Sequence, residues 1–202
     1  RRFFIKDEFG EKIQNSNNKQ GYLDNLISLE KLKAMLIQNP IQDWNKFDVI
    51  LCEPINLKNQ KKMKIIKRGF KCFLKNPSIL FNQNKHNIRL QFEMFHGYGN
   101  LDLAINFLPD KDKSDFIEYV NNKTTLSPNC MYMSNNPELV EEFYKSLFIW
   151  LKKCESVFGF KNTNEYGTQR IYTFLTERYL PFWFEKYSKV KYLPWLFYDL
   201  SK

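Results

Sequence analysis

The chain has 202 residues, 43% of them hydrophobic, with 19 Phe, 11 Tyr and 4 Trp, enough for one domain, or one domain plus a subdomain, around a sizeable core. Charged residues make up 26%, and Gly and Pro number only 7 and 8, which excludes a collagen-like or low-complexity chain. The net charge of +9 favours an anionic partner: nucleic acid, a membrane surface or a phosphorylated small molecule.

Residues 1–5, "RRFFI", are strand-like. The chain opens there without a Met, so the natural protein is expected to extend upstream. Residues 6–22 are polar with turn formers and are expected to be loop. Ser28 starts a helix, with Leu29, Leu32, Met35 and Leu36 at helical spacing and Asn39-Pro40 stopping it. "FDVILCEPI" (47–55) is a short buried strand closed by Pro54. The segment 56–87 is a basic insertion or variable stretch. Its run "KNQKKMKIIKRGFKCFLK" (58–75) reads either as a solvated face or as a patch for phosphate or lipid headgroups.

"HNIRLQFEMFHGYGN" is expected to be extended at first. A Gly-punctuated turn then leads to a helix over 101–108 capped by Asn100. A short helix over 114–121 and a strand over 129–135 follow. Asn136 and Pro137 open the clearest helix, as N-cap and first helical residue. Val140, Phe143, Tyr144, Leu147, Leu151 and Cys154 form its apolar stripe. "EYGTQRIYTFLTERYLPFWFEKY" (165–187) is the last helix, with a kink or restart expected at Pro181. Residues 190–198 close the chain as a strand or extended tail. Strands alternating with helices give the class α/β.

Chemistry-bearing motifs are few. The sequence has no GxSxG, P-loop or GxGxxG, so hydrolase and nucleoside-triphosphatase readings lack support. The four Cys include no CxxC, which argues against structural zinc. Cys52 and Cys130 fall in apolar strand-like runs, as reduced thiols do, and point to a reducing, cytoplasmic compartment. Neither His86 nor His96 has a metal-like partner. "HGYG" (96–99) is either a turn with a surface His or a loop whose backbone and imidazole face a phosphate or sugar. In the last helix Arg178 shares the apolar stripe of Ile171, Phe174 and Leu175, and a buried guanidinium requires a partner. Glu177, its sequence neighbour, is not expected to face it along the helix, so each should bond something else. Glu165, Tyr166, Gln169 and Arg170 sit at the start of that helix, where a carboxylate either caps it or serves a pocket.

Taken in order, "RRFF" (1–4), "FDVILCEP" (47–54), "FHGYGNLDLAINFL" (95–108), "NCMYMS" (129–134) and "GTQRIYTFLTERYLPFW" (167–183) resemble blocks of a known family. It is the glycosyltransferase-like domain family, formerly of unknown function, of bacterial capsular polysaccharide and lipopolysaccharide biosynthesis. The resemblance covers almost the whole chain and implies a single domain over 1–202. It also implies a GT-A-like mixed sheet flanked by helices. The N-terminal part of the family fold has no counterpart here.

The implied function is transfer of a sugar from a nucleotide-sugar donor to a growing glycan or lipid-linked acceptor. The implied catalytic carboxylates are Glu165 and, as the weaker candidate, Asp102. Arg1, Arg2, His96, Asn129, Tyr166, Gln169 and Arg170 are the implied substrate-binding residues, with Glu177 and Arg178 as structural support. Many such enzymes carry an Asp-x-Asp metal motif where this chain has Arg1-Arg2. Mn²⁺ or Mg²⁺ therefore stays open as a cofactor, with the cations as an alternative charge for the leaving diphosphate. The basic run 58–75 and the aromatic tail 179–198 are expected to meet an anionic leaflet, on the inner face of the cytoplasmic membrane. The alternatives are a nucleic-acid-binding module and a non-catalytic, transferase-like scaffold. Nucleic acid is disfavoured because the aromatics fall at core periodicities rather than between lysines on one face.

Overall fold

The computed structural model describes residues 2–14, 28–39, 42–58, 61–160 and 169–198. In chain order the elements are β1 (Arg2–Phe4), α1 (Asp7–Gln14), α2 (Leu29–Met35), β2 (Val49–Cys52), β3 (Ile55–Asn56), α3 (Lys62–Arg68), α4 (Phe70–Lys75) and α5 (Ile88–His96). They continue with α6 (Asn100–Ile105), α7 (Asp110–Asn122), β4 (Thr125–Leu126), β5 (Tyr132–Ser134), α8 (Pro137–Phe158), α9 (Ile171–Tyr187), β6 (Val190–Leu193) and β7 (Trp195–Phe197). The architecture is mixed α/β with small sheets.

All four residues of β2 are buried, as a continuous apolar run requires when both faces of a strand are covered. β2 is the middle strand of a three-stranded sheet in the order β5-β2-β6. β5 runs antiparallel to it and β6 parallel. β1 and β7 form a separate antiparallel ribbon, with Phe3 opposite Leu196. Ile5 continues from the ribbon and donates its N–H to Pro194 O at 3.0 Å.

The main core lies between the sheet, α5, α7, α8 and α9. α8 begins as its sequence dictates: Asn136 Oδ1 accepts from Leu139 N at 3.0 Å, with Pro137 in the first turn. Its buried side is Phe143, Leu147, Trp150 and Cys154; Tyr144 is turned toward solvent. Aromatic rings interlock across the layers, with Phe116 edge-on to Phe182 at 5.0 Å and Trp150 tilted on Tyr179 at 4.9 Å, arrangements that their ring quadrupoles favour.

Several local expectations are corrected by packing. Asp7–Gln14 is helical rather than loop; a Cβ at Gly10 would sit 2.8 Å from Pro194 Cβ. Glycine there lets the helix approach the β6–β7 corner, so it is not a turn former. Residues 15–22 lie outside the described residues. Residues 88–96 are helical rather than extended, because Asn87 Oδ1 accepts from Leu90 N at 2.9 Å and caps the first turn. Asn100 does not cap α6; Gly99 occupies that position and Asn100 Nδ2 donates back to His96 O at 2.7 Å. The expected strand at 129–135 is confined to Tyr132–Ser134, and Asn129 and Cys130 are left-handed instead, at φ 73° and 52°. Cys130 is thus in a turn rather than a strand.

α9 runs through Pro181 without a restart. Tyr179, Leu180, Phe182, Trp183 and Phe184 are all buried around it, and that packing outweighs the roughly 3 kcal/mol an interior proline costs. Within the aromatic tail 179–198, the rings at 179 and 182–184 are thus core side chains, whereas Tyr187 is 38% exposed. No helix among the described residues is long and apolar enough to cross a membrane.

Gly97 ends α5 at φ 96°, and a Cβ there would lie 2.4 Å from Asn100 Nδ2. Gly97→Ala is expected to lower stability by about 1–3 kcal/mol in urea titrations; a change below about 0.5 kcal/mol would mean that the turn is not strained.

Candidate functional site

α5 is the element that organises the site. Its N-terminus is clamped to the end of α7: Asn87 Nδ2 donates to Asn121 O and Arg89 Nε to Asn121 Oδ1, each at 2.6 Å. One side of the helix then lines a cleft of about 510 Å³ that also takes in the end of α4, the turn at Tyr98 and the start of α6. Arg89 and Glu93 are one turn apart and both face this cleft, together with Lys75, Lys85, Tyr98 and Asp102. His86 holds its far wall, its two ring nitrogens lying 2.6 Å from Lys58 O and 2.7 Å from Ile79 O.

Glu93 is only 7% exposed. Its Oε2 accepts the N–H of Gly99, which the positive φ of that glycine presents to it. Its Oε1 is buried and has no hydrogen-bond partner among the described residues. Burial raises the carboxyl pKa above its usual value and nearby Asp102 adds to this; the Gly99 N–H, Arg89 and Lys75 oppose it. Asp102 is already engaged by Arg89. Lys85 Nζ donates to Ser78 Oγ at 2.6 Å, and among the described residues neither Lys75 nor Lys85 forms an ion pair. The cleft therefore offers a desolvated carboxylate oxygen and two ammonium groups without an ion-pair partner to one ligand.

A polar cluster inside the protein lies behind α5. Arg178 is 1% exposed and pairs with the Glu177 carboxylate. It also donates to Gln91 Oε1 and to Phe174 O, the latter at 3.1 Å, and its Nη2 lies 3.4 Å from His96 Nε2. The His96 ring stacks on Phe174 at 3.7 Å between centroids. Glu177 Oε1 accepts the N–H of left-handed Asn129 at 2.6 Å. The expectation that Glu177 and Arg178 would not face each other is thus corrected. A long guanidinium folds back along the helix to reach its neighbour's carboxylate, and each group still bonds something else. Burial draws the Arg178 pKa down, and Glu177 counters it. The cluster sits at the carboxyl end of the parallel pair β2 and β6: Cys52 Sγ lies 3.0 Å from Pro128 O. Burial first of all pushes the Cys52, Cys130 and Cys154 thiols up to about 12 and Cys72 to about 11, so none is a thiolate nucleophile at neutral pH.

The residues singled out from the sequence are distributed over several places. Asp102 lines the cleft. His96, Asn129, Glu177 and Arg178 belong to the buried cluster. Arg2 is in the β1–β7 ribbon, its guanidinium 5.4 Å from the Phe197 ring centroid. Gln169 and Arg170 are exposed at the start of α9, about two turns, or roughly 12 Å along the axis, from Arg178. Arg1, Glu165 and Tyr166 lie outside the described residues. An Asp-x-Asp does occur, Asp110-Lys111-Asp112, in the first turn of α7. Asp112 is wholly buried there and accepts from Lys186, Tyr187 and Tyr179. That pattern is helix architecture, and among the described residues no group of three or more His, Cys, Asp or Glu is placed to hold a metal ion.

No family model, no curated protein and no solved structure matches this chain.

Sequence reading gave no role to Glu93, Lys85 or Arg89, while Lys75 and Tyr98 fall within the 58–75 run and the HGYG turn that it singled out. The signal was present in Asn87 as a cap, with Ile88 and Phe92 one turn apart on the buried side and Arg89 and Glu93 one turn apart beside them.

Proposed function

We propose that this chain is a glycosyltransferase domain of GT-A type that moves a sugar from a nucleotide-sugar donor to a hydroxyl of a growing glycan, with the α5 cleft as its reaction site. The observation that carries the reading is one cleft holding a desolvated carboxylate with an unpartnered oxygen next to Lys75 and Lys85. Glycosyl transfer needs both parts. Glu93 Oε1 takes the acceptor hydroxyl proton as the acceptor oxygen bonds to the anomeric carbon. The bond from that carbon to the diphosphate oxygen breaks, and Lys75, Lys85 and Arg89 meet the charge that leaves with the nucleotide. Tyr98, 43% exposed at the rim, offers a ring face to the sugar. The ordered sequence blocks that resemble the capsule and lipopolysaccharide glycosyltransferase-like family favour this chemistry over other group transfers.

The test is a thermal-shift panel of uridine, guanosine and cytidine nucleotide sugars, followed by assay of nucleotide release. A matching donor at about 100 times its Kd stabilises the protein by roughly 2.7 kcal/mol. The Lys75→Ala/Lys85→Ala double variant is expected to lose most of that shift. A panel in which no donor shifts the melt and none is consumed would leave the scaffold reading in place of the enzyme.

A further inference from the structure

The charge of this molecule is concentrated in one segment. Residues 54–92 hold 10 of the 31 Lys and Arg and no Asp or Glu, so the rest of the chain, with 21 against 22 acids, nets −1. The segment contains α3, α4 and the turn from Pro77 to Leu80. Ile65 and Ile79 pack with Leu90 and Met94 of α5 in a small core of their own, while Leu57, Ile88 and Phe92 join the main core.

Facing solvent among the cations are large apolar side chains. Met63 is 62% exposed, Phe70 53%, Leu74 63% and Phe81 79%. Phe70 and Leu74 are one turn apart and share a face of α4. Lys62 Nζ lies 5.1 Å from the Phe81 ring centroid, which draws the end of the Pro77–Leu80 turn against α3. Lys61, Lys62, Lys64, Lys67, Arg68 and Lys71 are all exposed around them. A solvated basic face does not require Phe and Leu at its most exposed points, and a packed interface does not require this many uncompensated cations.

We propose that the α3–α4 surface docks on an anionic lipid bilayer. The lysines meet the headgroup phosphates, and Phe70, Leu74, Phe81 and Met63 enter the boundary between headgroups and acyl chains. Charge complementarity selects the leaflet and apolar burial holds the protein there, the two contributions that interfacial binding adds together. Nucleic acid is the weaker match, because Met63 and Leu74 have no π face to stack on a base. Docking here and sugar transfer in the cleft are separable, since neither requires the other's residues.

The experiment is vesicle co-sedimentation of the full chain, using phosphatidylcholine with and without phosphatidylglycerol. Binding is expected only to the anionic vesicles and should weaken with salt. Phe70→Ser/Leu74→Ser removes two exposed side chains, so its melting temperature should match the wild type. Its vesicle affinity should fall by at least tenfold, since burying one such side chain is worth 1.5–3 kcal/mol, about a factor of ten or more. Lys62→Glu/Lys67→Glu/Lys71→Glu should abolish binding. The proposal fails if the wild type ignores anionic vesicles. It also fails if the serine variant binds them as tightly as the wild type, or if a single-stranded oligonucleotide displaces the vesicles and binds both proteins equally.

Discussion

Arg178→Ala is expected to destabilise the protein by about 3–5 kcal/mol, the usual loss when one partner of a buried ion pair is removed. The guanidinium is 1% exposed and touches Glu177, Gln91 and the Phe174 carbonyl. It also lies over the Phe92 and Phe174 rings at 5.4 and 5.8 Å. Its removal leaves the Glu177 carboxylate, 16% exposed, with the Asn129 N–H and no counter-charge beside it. The loss is therefore mainly the cost of a stranded charge rather than of a cavity. Glu177→Gln/Arg178→Met removes both charges at similar volume and should recover a large part of the stability. Urea titrations of the wild type and both variants decide this. A single variant within about 1 kcal/mol of the wild type, or a double variant worse than the single, would show that the pair is not what holds α9 against α5 and the Asn129 turn.

Glu93→Gln is expected to change activity and stability in opposite directions. Under the transferase proposal the variant loses its base, and transfer should fall by about 10²–10⁴-fold. Stability should rise at neutral and alkaline pH by something on the order of 1 kcal/mol, the scale of one poorly satisfied buried polar group. The sign follows from the raised pKa of Glu93. A carboxyl whose folded pKa lies above its unfolded value, about 4.3, stabilises most below that value. The contribution is lost as pH rises through the folded pKa, because the buried form must then ionise. The advantage of the Gln variant should therefore appear on the alkaline side and vanish near pH 4. Asp102, Arg89, Lys75 and Cys72 are the other ionisable side chains around Glu93. Paired melts of the two proteins across pH isolate Glu93 from them. Unchanged transfer by the variant would remove Glu93 from the chemistry, and parallel melting curves at all pH would show that its charge carries no desolvation cost.

The features legible in the sequence are those fixed within a few residues. The Ser28 cap, whose Oγ accepts from Lys31 N, the Asn136-Pro137 start of α8 and the apolar run of β2 each use a cap or a periodicity that spans one or two turns. The capping of α5 by Asn87 is equally local.

What only the tertiary structure decided depends on residues far apart in the chain. Gln91 meets Arg178 87 positions away, and Asn129 meets Glu177 48 away. The spacing of a helix says that Arg178 is buried, yet it does not name the acceptors that a buried guanidinium finds. Nor does composition place Lys75 and Lys85 beside Glu93, because α4, the following turn and α5 converge only when Ile65, Ile79, Leu90 and Met94 pack together. By itself the sequence determined an α/β chain with a buried central strand, two long aromatic helices and a strong positive charge. Its partly buried carboxylate, the cleft around it and the pairing of Glu177 with Arg178 were set by long-range packing, which decides both which groups lose water and which partners are then within reach.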